Sequence, residues 1–215
     1  SYAKYALIIY NSSIYVDNSI LENNTSGIDF DVITKSLFSN NIIRNNTQAT
    51  SLNGLSDNGS NDTYKDVLWL SNIIKNNTNN GLAFNRHGTR SYNNTYRNNV
   101  ITGNGGYGID LPWGNVTGGV KNNLIEENII YNNANGLRIG TGPSGSSSEY
   151  PTKLSTVRKN LIIKNTGYAI STYETYTNET LKIENNIIQG AANQLVELKD
   201  EKGSIVSKNT FIHDY

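Results

Sequence analysis

A short motif of polar and apolar residues recurs along the whole chain. Its clearest copy is Asn72-Ile-Ile74, in which Trp69 lies three residues before the asparagine and Asn77 lies five residues after it. Eight copies align at successive separations of 23 to 32 residues. Their leading asparagines are Asn18, Asn41, Asn72, Asn99, Asn128, Asn160, Asn186 and Asn209. Self-similarity at a period of tens of residues indicates a solenoid, in which each repeat packs against its neighbours.

The second half of each repeat reads as a strand. A glycine is followed by alternating apolar residues, as in Gly81-Leu-Ala-Phe84 and Gly108-Ile-Asp-Leu111. A period of two is typical of β-strands, and the helix formers Ala, Leu and Glu are sparse. Each repeat therefore predicts one turn of a parallel β-helix. We expect an all-β, single-domain parallel β-helix of about eight rungs over residues 1–215, as part of a longer protein.

Stacking of the turns gives the repeated residues their roles. We predict that Ile74 and its seven equivalents point inward and stack at about 4.8 Å along the axis. Asn72 and Asn77 are predicted to lie at corners with left-handed backbone angles, where their side-chain amides bond the same position above and below. By this reasoning the Asn-x-Thr sequences, such as Asn45-Asn-Thr47 and Asn76-Asn-Thr78, are by-products of the corners.

Composition removes several classes of function. The formal net charge is zero and 17% of residues are charged, which argues against the basic surface of a nucleic-acid-binding protein. The chain has no Cys and no Met, so disulfides, thiolate metal sites and cysteine nucleophiles are excluded. No apolar run approaches the roughly 20 residues of a membrane span, and membrane insertion is not expected.

The repeat N-x-I-x-x-N followed by G-I-x-Φ resembles the right-handed parallel β-helix repeats of pectate-lyase-like proteins. The resemblance covers residues 7–213 and implies a right-handed coil. It links the chain to polysaccharide lyases, glycoside hydrolases, uronan epimerases and phage tailspikes. The Asn-rich style also resembles surface β-helix proteins of methanogenic archaea, such as a disaggregatase of cell-wall heteropolysaccharide. Both resemblances imply an extracellular or cell-surface location.

Insertions after the glycine-led strand mark where a binding groove is expected. They fall at 56–66, 85–94, 112–121, 140–153 and 172–180. Because the rungs are in register, loops that leave at one point of the repeat should stack on one side of the coil. Their aromatic and charged residues suit a sugar. These are Tyr64, Tyr92, Trp113, Tyr150, Tyr173, Tyr176, Arg86, Arg90, Glu149 and Lys153.

A column of outward-facing residues is predicted on the strand that precedes these loops. It contains Asp29, Ser56, Ala83, Asp110, Arg138 and Ser171, with Asp31, Asp57, Asn85 and His87 close by. One rung of separation would put Asp29 and Asp57 about 5 Å apart, and two rungs would put Asp57 and Asp110 about 10 Å apart. Glycosidases need about 5–5.5 Å between carboxyl groups for retention and about 6.5–9.5 Å for inversion.

These features predict an enzyme that cleaves an extracellular or cell-wall polysaccharide by hydrolysis or elimination. The expected catalytic residues are Asp57, Asp110, His87 and Arg138. The expected substrate-binding residues are Trp113, Asp29, Arg86, Asn85, Tyr92, Glu149 and Tyr173. No cofactor or metal is expected, although a lyase could use Ca²⁺ to neutralise a uronate. The alternative is a non-catalytic surface protein or adhesin with a glycan-binding face. Further domains of the same polypeptide are expected partners.

Overall fold

A computed structural model describes residues 3–52, 63–84, 90–111, 120–139, 153–172, 180–190, 195–198 and 204–213. Within these ranges every regular element is a β-strand, and every strand pairing is parallel. The strands form four walls that recur in the same order along the chain. The predicted all-β solenoid of parallel strands is confirmed.

The first and second walls are sheets of eight strands each. The strands of the first wall are β2 (Tyr15–Asp17), β6 (Leu37–Ser39), β10 (Leu68–Leu70), β14 (Thr95–Arg97), β18 (Leu124–Glu126), β21 (Lys153–Arg158), β24 (Thr180–Glu184) and β27 (Ile205–Ser207). Those of the second wall are β3 (Ile20–Glu22), β7 (Ile42–Arg44), β11 (Ile73–Lys75), β15 (Val100–Thr102), β19 (Ile129–Tyr131), β22 (Leu161–Asn165), β25 (Ile187–Gly190) and β28 (Thr210–His213).

The third wall follows the second in each turn and consists of two sheets of three and five strands. Its strands are β1 (Tyr5–Ile9), β4 (Ser26–Phe30), β8 (Gln48–Leu52), β12 (Leu82–Ala83), β16 (Tyr107–Leu111), β20 (Asn135–Ile139), β23 (Ile170–Thr172) and β26 (Val196–Glu197). The two sheets meet where the Thr50 hydroxyl bonds the backbone N–H and carbonyl of Ala83. The fourth wall contains β5 (Ile33–Thr34), β9 (Thr63–Lys65), β13 (Arg90–Tyr92) and β17 (Val120–Lys121).

The interior is filled by columns of residues stacked turn on turn. In the second wall Ile74 pairs with Ile43 on one side and Ile101 on the other. The column continues through Ile130, Ile162 and Ile188, and all six isoleucines are fully buried. Such columns bury each turn against the next, so the predicted inward stack is confirmed for these six residues. The predicted last member, Phe211, pairs with Ile188 but is 44% exposed, because no further strand of the second wall pairs with β28 in the described part of the chain.

The first copy of the repeat lies one residue later than the Asn-x-Ile pattern predicts. Ile20 pairs with Ile42 rather than with the inward Ile43, and Ile20 is 58% exposed. Leu21 occupies the inward position instead. The leading position is Ser19, whose backbone N–H donates to Asn41 Oδ1 at 3.0 Å. The Asn-x-Ile pattern was misleading here because Asn18 precedes the ladder position.

Two predicted amide ladders run along the corners on either side of the second wall. In the first, Asn72 Nδ2 donates to Asn99 Oδ1 at 3.0 Å, and Asn99 Nδ2 donates to Asn128 Oδ1 at 3.0 Å. The second ladder links Asn77, Asn104 and their equivalents in the same way. These side chains are almost fully buried, so the ladders satisfy backbone groups that the corners would otherwise leave unpaired.

The left-handed residues of these corners directly precede the ladder asparagines. Ser71 and Asn76 have φ values of 56° and 55°, whereas Asn72 and Asn77 are not among the residues with positive φ. The prediction that the ladder asparagines adopt this conformation was therefore wrong by one position. The left-handed residue turns the chain, and the next residue then points its amide inward.

A third amide ladder, not expected from the sequence, lies between the fourth and first walls. The Val67 backbone N–H donates to Asn94 Oδ1 at 2.9 Å, and the Asn94 backbone N–H donates to Asn123 Oδ1 at 3.0 Å. Asp66 and Asn93 precede these positions with φ values of 56° and 55°. The corner was missed because few turns carry asparagine there.

Stacked aromatic rings fill the interior near the middle of the coil. Phe38 and Trp69 stack with their ring centroids 4.3 Å apart, and Tyr64 stacks on Phe84 at the same distance. Tyr64 lies in β9, is fully buried, and its hydroxyl accepts a hydrogen bond from Trp69 Nε1. Burial raises the pKa of the Tyr64 hydroxyl well above its usual range. The prediction that Tyr64 lines a sugar groove is wrong.

Candidate functional site

Two strands of the third wall, β4 and β16, each carry a buried carboxylate on their outer side. In β16, Ile109 and Leu111 belong to the core, so the alternation of the strand turns Asp110 to the other face. Asp29 has the same position in β4. Both side chains are nevertheless fully buried. The prediction of outward-facing carboxylates is confirmed for the face of the sheet, but neither residue is exposed to solvent.

Register brings residues of successive turns together beside Asp110. Ala83, Asp110, Arg138 and Ser171 are directly paired across four neighbouring strands, as predicted. Glu197 extends this column by one strand. The same outer face therefore carries a carboxylate, a guanidinium and a hydroxyl at adjacent positions.

Asp110 and Arg138 form a two-pronged ion pair. Arg138 Nε donates to Asp110 Oδ1 at 2.7 Å, and a terminal guanidinium nitrogen donates to Oδ2 at 2.6 Å. Asn80 Nδ2 donates to the same Oδ2 at 3.2 Å. The guanidinium also lies over the Tyr107 ring, 4.4 Å from its centroid. Although Asp110 is fully buried, the Arg138 side chain remains 20% exposed. The pair is charge-neutral, and of its two side chains only that of Arg138 is partly exposed to solvent.

Asp29 has a different environment, with a hydroxyl partner on the next turn. Ser51 Oγ donates to Asp29 Oδ1 at 2.5 Å, and Ser26 Oγ lies 3.0 Å from Ser51 Oγ. Ser51, rather than the predicted Ser56, is the residue paired with Asp29. The predicted separation of about 5 Å between Asp29 and Asp57 assumed that Ser56 lay in this column. Because Ser51 holds that position, the register no longer supports this distance.

Tyr92 lies on the fourth wall rather than in a loop. It is in β13, half-buried, and pairs with Lys65 of β9 and Lys121 of β17. Arg90 also belongs to β13, and Lys153 begins β21 of the first wall. The predicted insertions are therefore shorter than the sequence indicated, because their ends continue into strands.

Seven of the predicted site residues lie outside the described residues, and their roles stay predictions. They are Asp57, Asn85, Arg86, His87, Trp113, Glu149 and Tyr173. Each belongs to a segment that follows a strand of the third wall. Those strands end at Leu52, Ala83, Leu111, Ile139 and Thr172. The last three ends pair in register, Leu111 with Ile139 and Ile139 with Thr172.

Comparison with known proteins agrees with this architecture. Residues 114–214 match the sequence model of a family described as "Right handed beta helix region". The chain is a right-handed parallel β-helix. No curated protein and no solved structure matches it significantly. The β-helix region occurs both in pectate-lyase-like enzymes and in non-catalytic proteins. The resemblance to methanogen surface proteins stays a prediction.

Another charged cluster of the β-helix, missed at the sequence level, lies on its first wall. Glu126 accepts a hydrogen bond from Arg97 Nε at 2.6 Å and another from Arg158 Nε at 2.8 Å. These three residues occupy equivalent positions on consecutive strands. The pKa of Glu126 is lowered from its usual value. Burial alone would raise this pKa, but the hydrogen bonds and charges of Arg97 and Arg158 together have the larger effect.

In the part of the β-helix that the structure describes, no group of three or more His, Asp and Glu side chains is placed to hold a metal ion. The same residues contain no helix that is long and apolar enough to cross a membrane.

Proposed function

We propose that the chain is a carbohydrate-active enzyme that binds an extended polysaccharide along the third wall and cleaves it by hydrolysis or elimination. The observation that carries the proposal is the Asp110–Arg138 pair, which holds a cation on the outer face of this wall. The pair lies beside the point of the repeat at which the candidate loop segments begin. An extended chain of sugars matches a surface that repeats at about 4.8 Å.

Arg138 is the proposed anion clamp of the site. Its guanidinium is fixed by Asp110 on one edge and by the Tyr107 ring on one face, so little rotamer entropy is lost on binding. The 20% exposure of the Arg138 side chain leaves it reachable from solvent. A guanidinium in this setting favours a sugar carboxylate, which supports an acidic polysaccharide as ligand.

The proton transfers are assigned to residues of the candidate loops. His87 is proposed as the base or proton shuttle, and Asp57 as a general acid or nucleophile. Asp110 remains in the proposed catalytic set, but Arg138 occupies both of its oxygens. Arg138 must therefore move from one oxygen before Asp110 can take or give a proton. In the closed pair, Asp110 positions Arg138.

A second candidate function follows from the hydrogen bonds that engage the carboxylates of Asp29 and Asp110. Asp29 and Asp110 are both fully buried, and each accepts hydrogen bonds from a neighbouring turn. A wall on which Asp29 and Asp110 are engaged in this way suits a glycan-binding surface without bond cleavage. This alternative predicts retention of a polysaccharide with no change in its chain length.

The two functions are separated by incubating the chain with a panel of acidic and neutral polysaccharides. Absorbance at 235 nm together with new reducing ends identifies a lyase, whereas new ends alone identify a hydrolase. Binding without new ends supports the adhesin. The double variant Asp57→Asn, Asp110→Asn is expected to lose cleavage, and full activity of this variant would refute the enzymatic roles.

The anion clamp has a matched control on the first wall. Arg138→Gln is expected to weaken binding of acidic polysaccharides by at least tenfold, while Arg97→Gln, which also breaks an arginine–carboxylate contact, should leave binding unchanged. The double variant Asp110→Asn, Arg138→Gln removes the pair without leaving a buried charge, and thus controls for misfolding. Equal binding by all these variants would contradict the clamp.

A further inference from the structure

Three Asn-Asn-Thr sequences occupy the same corner on three successive turns. They are Asn23-Asn24-Thr25, Asn45-Asn46-Thr47 and Asn76-Asn77-Thr78. The corner lies between the second and third walls, directly after β3, β7 and β11. Each sequence has the Asn-x-Thr form of an N-glycosylation acceptor, and the structure separates what the fold requires of it from what it does not.

Both asparagines of each triplet have a structural role, although Gly103 and Lys164 take the first position on later turns with φ values of 67° and 53°. The first adopts left-handed backbone angles, with φ values of 60°, 55° and 55° for Asn23, Asn45 and Asn76. Asparagine tolerates this conformation better than other residues with a side chain. The second asparagine belongs to the amide ladder, as where Asn46 Nδ2 donates to Asn77 Oδ1 at 3.3 Å. The Asn-Asn pair therefore carries no functional information by itself.

The fold does not require the threonine. Its position is filled by Gly105 and Ala134 on later turns, where the ladder continues without a break. The hydroxyls of Thr25, Thr47 and Thr78 have no hydrogen bond within the described residues, and all three residues are exposed. A hydroxyl that is absent on other turns and unused on these remains available for recognition.

The acceptor amides are also accessible. Asn23, Asn45 and Asn76 are exposed, and their side chains make no hydrogen bond within the described part of the chain. Asn93 begins another Asn-Asn-Thr sequence, but its Nδ2 donates to Asp66 Oδ1 at 3.0 Å. Within the described residues, the three triplets between the second and third walls thus combine an amide nitrogen without a hydrogen bond and a hydroxyl without one.

We propose that Asn23, Asn45 and Asn76 are acceptor sites for N-linked glycans, which form a column at this corner in the exported chain. In the transfer, Asn Nδ2 bonds C1 of an oligosaccharide, the bond from C1 to a polyprenyl diphosphate breaks, and one amide proton is released. The glycans would extend from the start of the third-wall strands. They would leave the opposite ends of those strands, where the candidate loops begin, open to a substrate.

The chain offers its own control at the same corner. Asn132 is exposed and has a φ value of 54°, but Ala134 replaces the threonine two residues later. Glycopeptide mapping of the chain from its native source should find glycans on one or more of Asn23, Asn45 and Asn76, and none on Asn132. The proposal is overturned if the three are unmodified, whether or not another sequence such as Asn115-Val-Thr117 carries a glycan.

Variants at the threonines test the recognition directly. The triple variant Thr25→Ala, Thr47→Ala, Thr78→Ala, produced in the same source, should lose the corner glycans completely. Its deglycosylated form should unfold at the same temperature as the deglycosylated parent, because alanine is native at position 134. The matched Thr→Ser triple variant should retain the glycans. Persistence of their mass in the alanine variant would refute the proposal.

Discussion

A single substitution can measure how much the first amide ladder contributes to the free energy of unfolding. Asn99 lies in the middle of the ladder and is fully buried. Its Oδ1 accepts from the backbone N–H of Asn72 at 2.9 Å and from Asn72 Nδ2 at 3.0 Å. Its Nδ2 donates to the Trp69 carbonyl and to Asn128 Oδ1, both at 3.0 Å. Asn99→Ala removes all four bonds at once.

The expected cost follows from the groups that are left without a partner. Two N–H groups of Asn72 lose their acceptor, and the Trp69 carbonyl loses a donor. At about 1–3 kcal/mol for each of these three buried polar groups, Asn99→Ala should lower the free energy of unfolding by about 3–9 kcal/mol. Domains of ordinary stability have about 5–15 kcal/mol in total, so the variant should be close to unfolding.

Urea denaturation followed by far-ultraviolet circular dichroism measures this cost, with Asn98→Gly as the matched control. Asn98 is the adjacent residue, is exposed, and has a φ value of 56°, which glycine adopts without strain. We expect this variant to change the free energy of unfolding by less than about 0.5 kcal/mol. If Asn99→Ala costs no more than Asn98→Gly, the ladder does not stabilise the coil and the reasoning fails.

Two further predictions concern the first and second walls. Because its folded pKa is lowered, Glu126 should stabilise the chain fully above its ordinary pKa of 4.5 and lose this contribution as pH falls toward its folded value. Urea titrations between pH 7 and pH 3 should show a smaller acid loss in Glu126→Gln, and an unchanged loss would contradict the pairing with Arg97 and Arg158. Ile101→Ala should cost about 2–5 kcal/mol because it leaves a cavity. Ile129→Ala, at a position 40% exposed, should cost far less, and equal urea midpoints for the two variants would refute the inward column.

The sequence predicted the parts of the fold that repeat in every turn. The inward isoleucines and the first two amide ladders follow from the period alone, because strands in register place equivalent residues on top of one another. The same logic failed at the first copy, where Asn18 matched the motif but Ser19 occupies the ladder. Val16 and Leu21, which lie inward, were the available signal.

The site was harder to predict because it depends on residues that occur only once. Register brought Asp110 next to Arg138, as the alignment indicated, but the alignment could not reveal that the two form a closed ion pair. Nor could it separate loop from strand at Tyr64 and Tyr92. Each lies in a three-residue strand of the fourth wall, where too few residues are present for a period of two to be recognised.

The geometry of the ladders explains how such a coil can vary in one place without losing stability. Asn99 and Asn128 are 29 residues apart, Asn128 and Asn160 are 32 apart, and Asn160 and Asn186 are 26 apart, yet each pair is joined by the same amide bond of 3.0 Å. The length of the ladder bond therefore does not depend on the number of residues between the two asparagines. Much of the difference in length falls in the segments that follow third-wall strands, such as 112–119 and 140–152. Since those segments adjoin Asp110 and Arg138 in sequence, the chain beside this ion pair can vary in length while the corners hold the walls in register.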